Sequence, residues 1–299
     1  MSKDKAVFHL PGLFEFVDFY SEFLPLYRNN KEYFYDWVII GSIYGAPADC
    51  IWGGGRVGFG EDRAEDVIAL LDEHNISGRL TFSNSLLRTE HLTDKKCNDL
   101  CSRFSKTQTG SGVIVYSDLL VDYLKEKYPD LYLVSSTTKV ITDFNSFVAE
   151  LDRAEFKYVV PDFRLNKMLD SLSGLTIEQK TKVEFLCNEC CYIGCTDRKA
   201  CYENVSRKAL GENCPDHICK APGGEKGYLF SKAMENPEFI SVDDIKNIYL
   251  PNGFNNFKIE GRSLGSAILL EFLLYYMVKP ECQLKVREKI YLDSMLDLF

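Results

Sequence analysis

Asn256-Phe257-Lys258-Ile259-Glu260-Gly261-Arg262, with an apolar helical stretch at 264–277 behind it, is the last of eight β-rich runs, and the count rests on it. Seven runs precede it, at 6–10, 37–44, 79–84, 112–117, 131–135, 158–162 and 181–186. Most are followed by apolar residues three and four apart, the spacing of one helix face. Phe16, Phe19, Tyr20, Phe23 and Leu24 trace such a face after the first run, and Val67, Ile68, Leu70 and Leu71 another within 61–74. Further helices are expected at 93–105, from Asp118 as an N-cap, and at 146–155. This alternation without a Pro/Ser-rich linker predicts an α/β fold, a closed (β/α)8 TIM-like barrel forming one domain over 1–299. The stretch 211–243, with Cys214-Pro215, Pro222-Gly223-Gly224 and Pro237, is expected as an insertion before the last strand. It extends a Cys-rich segment over 187–243.

The chain is 45% hydrophobic and 26% charged, the composition of a globular protein rather than a disordered one. Its 35 basic and 44 acidic side chains give a net charge of −9, which argues against broad nucleic-acid binding. No apolar run is long enough to span a bilayer, so no membrane association is expected. Pro11-Gly12, Glu15 and Asp18 interrupt any signal-peptide core near the start, and the expected location is the cytoplasm.

Eleven cysteines do not suit a reducing compartment as a disulfide frame, and seven of them fall between Cys187 and Cys219. Thiolates a few residues apart can converge on one soft metal or cluster. Four would close a zinc site; an iron–sulfur cluster also takes four and tolerates the irregular spacing seen here. Cys97, Cys101 and Cys282, on helix-like stretches, read as small apolar packing residues. His217, between Cys214 and Cys219, is the one histidine with a case as a ligand. Cys50 precedes Gly53-Gly54-Gly55-Arg56, a loop that either makes a turn or brings backbone N–H groups and a guanidinium to an anion.

Alternation along the last run puts Phe257, Ile259 and Gly261 on one side and Lys258, Glu260 and Arg262 on the other. Charges facing a barrel interior are costly without partners, so these three should pair with one another or with a ligand. The reactive face of such a barrel lies at the carboxyl ends of its strands. Those ends carry His9, Tyr44, Asn84, Ser117, Ser135-Ser136-Thr137, Asp162 with Arg164, Asn188-Glu189, and Glu260 with Arg262.

Phe257-Lys258-Ile259-Glu260-Gly261-Arg262, preceded by Asn188-Glu189-x-Cys191-x-x-x-Cys195-x-x-Arg198, resembles the collagenase-like peptidase family (peptidases of unassigned mechanism, family thirty-two). The resemblance runs from about Trp37 to Tyr276. It implies a barrel whose better-understood members bind a 4Fe–4S cluster through four cysteines, and it implies oxygen-independent hydroxylation of a quinone precursor or an RNA base. The expectation is a short member without the carboxyl-terminal domain of the long ones, and the chain has more cysteines than one cluster needs. Cys191 and Cys195 match the shared pattern; Cys214 and Cys219, in the insertion, are taken as the other two ligands. Cys201 could replace one of the four.

The leading expectation is an iron–sulfur enzyme acting on a substrate with an anionic group, together with an electron donor or partner protein. Asp162, Glu189 and Glu260 would handle protons, with Arg262 beside them at the reactive end. Arg56, Asn84, Arg164 and Arg198 are the expected substrate-binding residues. The alternatives are a zinc-stabilised barrel that hydrolyses or binds a peptide, and an accessory protein without chemistry. No Gly-x-Ser-x-Gly elbow or His-Glu-x-x-His helix is present to support standard peptidase chemistry.

Overall fold

The computed structural model describes residues 5–56, 59–224 and 230–291. Eight parallel strands occur in chain order: β1 Ala6–Pro11, β2 Val38–Gly45, β3 Ser77–Phe82, β4 Gly112–Val115, β5 Tyr132–Ser135, β6 Phe156–Val159, β7 Glu184–Leu186 and β8 Asn256–Lys258. Each pairs with its chain neighbour from β1 to β6, β1 also pairs with β8, and β8 with β7. A single parallel bridge, Val159 to Val183, joins β6 to the residue before β7. The sheet is a nearly closed TIM-like barrel, as the eight runs predict.

Parallel strands need crossovers, and helices supply them. They are α1 Val17–Asn29, α2 Ala64–His74, α3 Lys95–Phe104, α4 Asp118–Lys127, α5 Phe144–Leu151, the short α6 Leu169–Ser173, α7 Ile177–Lys182, α8 Arg198–Ala209, α9 Phe230–Met234 and α10 Val242–Asp244; α11 Ser266–Met277 and α12 Gln283–Tyr291 follow the last strand. Outward-facing strand residues such as Phe8, Leu10, Leu80, Phe82, Val113, Phe185 and Phe257 pack with these helices into one large apolar shell. A second, small cluster inside the ring holds Tyr44, Ile114, Val134, Val160 and Leu186.

Two local expectations change. Residues 181–182 end α7 instead of opening the seventh strand. Thr176 accepts from the Gln179 N–H at 3.1 Å and Gln179 returns a bond to the Thr176 N–H at 2.9 Å, a capping box that commits the segment to helix. Ser117, not Asp118, is the residue ahead of α4, and Asp118 is its first helical residue. Past β8, Ile259 N–H still bonds His9 O, while Glu260 N–H turns to Asn188 Oδ1 at 2.7 Å. The end of β8 is thereby tied to the loop after β7.

Candidate functional site

Four charged or titratable side chains from four strands meet inside the barrel. Arg79 on β3 donates to Glu184 on β7 at 2.5 Å, and Lys258 on β8 approaches the other Glu184 oxygen at 3.3 Å. His9 on β1 lies 3.6 Å from the same carboxylate and 2.8 Å from Ser42 Oγ. Burial, and then Arg79, lower His9 to about 3, so its imidazole is neutral. Burial opposes the charge on Glu184, but Arg79 and then His9 and Lys258 hold it well below the usual carboxylate range. Burial lowers Lys258 to about 8; Glu184 resists this and Arg79 adds to it. Arg79 also donates from Nε to Tyr132 OH at 2.9 Å, and its Nη2 lies 3.5 Å from His9 Nε2.

Above this network lies a cavity of about 90 Å³ at the carboxyl ends of the strands. Its apolar side is Tyr44, Ile114, Val160 and Leu186, and Thr81, Ser83, Ser136, Thr137 and Thr138 line another part. Arg56, Glu189, Lys258, Glu260 and Arg262 complete it. Gly54 in the Gly53–Gly55 turn has no room for a side chain, because a Cβ there would stand 2.3 Å from Ser83 O. That close approach lays the turn against the end of β3 and carries Arg56 to the cavity.

Two carboxyls face each other there. Glu189, Cys190 and Glu260 bring their side-chain donor atoms within 4.8 Å of one another. Burial works against the charge on Glu189, yet Arg198, at 2.6 Å, and Arg56 keep it ionised. Burial and then Glu189 push Glu260 well above the ordinary carboxyl range. With two guanidiniums already beside the pair, it is read as one carboxylate and one protonated acid.

The thiols divide into groups. Cys191, Cys195, Cys201 and Cys219 line one pocket of about 430 Å³, with His217 and Arg56 in the same wall. Arg56 also lines the cavity above, so the two spaces meet at its side chain; its Nη2 lies 3.4 Å from Cys191 Sγ. Burial and then Glu189 raise the Cys191 thiol to about 12, against Arg198 and Arg56. Cys214 stands outside this wall, its sulfur 3.6 Å from Asn204 Nδ2 on α8. Cys50, Cys97, Cys101 and Cys187 are buried in the apolar shell.

The expected site residues separate by role. Arg56, Glu189, Glu260 and Arg262 line the cavity. Arg262 is held there by Glu15, which accepts from its Nε at 2.7 Å, and by Ala46 O at 3.1 Å. Arg198 is buried against Glu189 and Asp162 and stands in the wall of the thiol pocket. Asp162 accepts from the Arg164 N–H at 3.2 Å. Arg164 donates to Ile193 O at 2.9 Å and Cys195 O at 2.7 Å, fastening the cysteine loop. Asn84 donates to Ile51 O and Ser206 O and accepts from Leu86 N–H, which uses the whole amide to join loops. Lys258, Glu260 and Arg262 do not pair with one another; their partners are Glu184, Glu189 and Glu15. Sequence reading missed Glu15, Arg79 and Glu184; Arg79 and Glu184 are charges inside β-rich runs, the same signal that singled out Lys258, whereas Glu15 lies in a loop of ordinary composition.

Fold and site together define a nearly closed parallel barrel with charged groups and clustered thiols at its carboxyl face. No family model and no curated protein matches the chain. Among solved structures it is similar to the U32 peptidase Mk0906, with a TM-score of 0.53 and 13% sequence identity over 86% of this chain and 93% of that one. At that identity the likeness is one of fold. Among the described residues no helix is long and apolar enough to cross a membrane.

Proposed function

We propose that this chain is an iron–sulfur barrel enzyme of the collagenase-like peptidase type, with Cys191, Cys195, Cys201 and Cys219 holding a 4Fe–4S cluster beside a substrate cavity. The observation that carries this reading is the placement of four thiols around one pocket that shares Arg56 with the charged cavity. The donor set fits the group. Thiolates on one zinc, at about 2.3 Å from it, stand within about 4 Å of each other. Among the described residues no three of these sulfurs lie within 4.8 Å, so as they stand they do not close a single-ion site.

A bound cluster would supply one-electron transfer. The chain's own residues do the rest. Arg56 bridges the thiol pocket and the cavity and offers its guanidinium to an anionic substrate group. Arg262, clamped by Glu15, fixes a second positive charge at the rim. Glu260 holds a proton next to ionised Glu189 and can donate it within the cavity, with Arg198 and Asp162 keeping Glu189 in place. The substrate class is a small molecule or the reacting end of a larger one, and redox or hydroxylation chemistry suits these parts.

A serine-peptidase reading finds little support. Ser42, His9 and Glu184 have the composition of a triad, but Ser42 is sealed in the barrel, His9 stands 3.6 Å from the carboxylate, and Arg79 occupies Glu184. Iron and sulfide analysis after anaerobic purification tests the proposal. About four irons per chain are expected, lost in C191S, C195S, C201S or C219S and retained in C214S. One zinc per chain, or an iron-free colourless protein after anaerobic reconstitution, overturns it.

A further inference from the structure

Lys258 is a cation that the proposed redox chemistry does not use. It extends from β8 into the barrel, lines the mouth cavity, and lies with its ammonium 3.6 Å over the Tyr44 ring. The groups facing it come from every side: Glu184 from β7, Arg79 from β3, Tyr44 from β2, His9 from β1, and Arg262 beyond β8. Glu184 is the one carboxylate in the network. It already meets Arg79 at 2.5 Å, and His9 is neutral. With Lys258 protonated, two buried cations share one anion; with Lys258 neutral, the charges balance. Low dielectric surroundings penalise the excess charge strongly, so the network is relieved by releasing the lysine proton.

A lysine kept only for structure needs a carboxylate of its own, and this one has half of Glu184. A desolvated amine beside another cation is the arrangement that makes lysine a nucleophile toward carbonyl carbon. We propose that Lys258 is the amine of a covalent site that condenses with a small aldehyde or ketone group entering the mouth cavity. The nitrogen lone pair forms a bond to the carbonyl carbon, and the carbonyl π pair passes to oxygen. That oxygen leaves as water with the two amine protons, and a C=N bond remains; no oxidant or reductant takes part. A cavity of about 90 Å³ admits a carbonyl-bearing end of only a few heavy atoms. The proposal rests on reading the mouth cavity as the substrate pocket, but not on the cluster.

Propanal with sodium cyanoborohydride, applied to the full chain at pH 7, is the test. Reduction fixes the imine as a propyl-amine, and peptide mass mapping locates it. An exposed lysine has a pKa near 10.4, so at neutral pH its free-amine fraction is far smaller than that of an amine titrating near 8. The peptide carrying Lys258 should hold at least ten times the adduct of any peptide with an exposed lysine, the α-amino group being excluded from the comparison. Its labelling should be half-maximal near pH 8, and not above pH 10. Even labelling across the lysines, or an unlabelled Lys258 in folded protein, overturns the proposal. The trapping needs no metal, so this failure leaves the iron–sulfur reading standing, and an iron-free protein that labels Lys258 does the reverse.

Discussion

Glu184 is one carboxylate serving two cations, and both the stability and the reactivity of the barrel interior turn on it. Without Arg79, Glu184 and Lys258 form a one-to-one pair in which the lysine keeps its proton, since Arg79 is one of the causes that lower it. Arg79→Met should still destabilise the fold by about 1.5–3 kcal/mol, the cost of the charge-assisted hydrogen bonds that Arg79 gives Glu184 and Tyr132; urea unfolding measures it. Lys258 gives the opposite sign. Its folded pKa, about 8, lies below the unfolded value of 10.5, so between those values the unfolded chain binds more protons. The stability it contributes is fully present above pH 10.5 and is lost as pH falls through 8. Wild type should gain up to about 3 kcal/mol on Lys258→Met between pH 8 and 10.5. A stability difference that does not change with pH across that window would show that Lys258 keeps its proton. The inward side of Lys258, Glu260 and Arg262 was legible because strand alternation is local. Their partners were not: Glu184 lies 74 residues from Lys258 and 105 from Arg79, and only barrel closure brings them together.

Among the elements, the loop between β7 and α8 is held less by its own sequence than by Arg164, from the turn after β6. Its two bonds to the carbonyls of Ile193 and Cys195 set the path on which Cys191 and Cys195 are presented. Arg164→Met would leave both carbonyls without that donor. On the proposed cluster, iron retained per chain should fall severalfold, while thermal unfolding shifts by only about 1–3 kcal/mol in free energy. Equal loss of iron and of the whole fold would make Arg164 a general stabiliser instead. The turn after β5 shows strain of another kind. Val140 sits at φ 54°, a left-handed conformation that is costly for a β-branched residue. It ends the turn bearing Thr137 and Thr138, which line the cavity. Val140→Asn should stabilise by about 1 kcal/mol, since Asn tolerates this region. Sequence periodicity located most helices and strands, but it gave residues 181–182 to a strand. The β-branched Thr181 and alternation into Val183 look extended, and the capping box at Thr176 outweighs them.

At the scale of the whole barrel, closure is uneven. β1 and β2 pair along six residues of β1, whereas the seam between β6 and β7 has one bridge, Val159 to Val183. What covers the seam outside is α7, whose Lys182 donates to Leu151 O and Arg153 O. What braces it inside is the Arg79–Glu184 pair, reaching across from β3. Eight strands could be counted from the sequence, but the strength of each junction could not, because register depends on twist and on the partner strand. A ring with one weak junction opens there first, while the rest of the sheet keeps its ladders. Native-state hydrogen exchange should therefore find amides at 156–159 and 183–186 exchanging through openings a few kcal/mol below global unfolding, with those of Val7–Leu10 and Ile40–Tyr44 near the global value. Arg79→Met should widen that gap by removing the inner brace. Uniform protection around the ring, in both proteins, would mean that the side-chain network closes the seam as firmly as a hydrogen-bonded ladder.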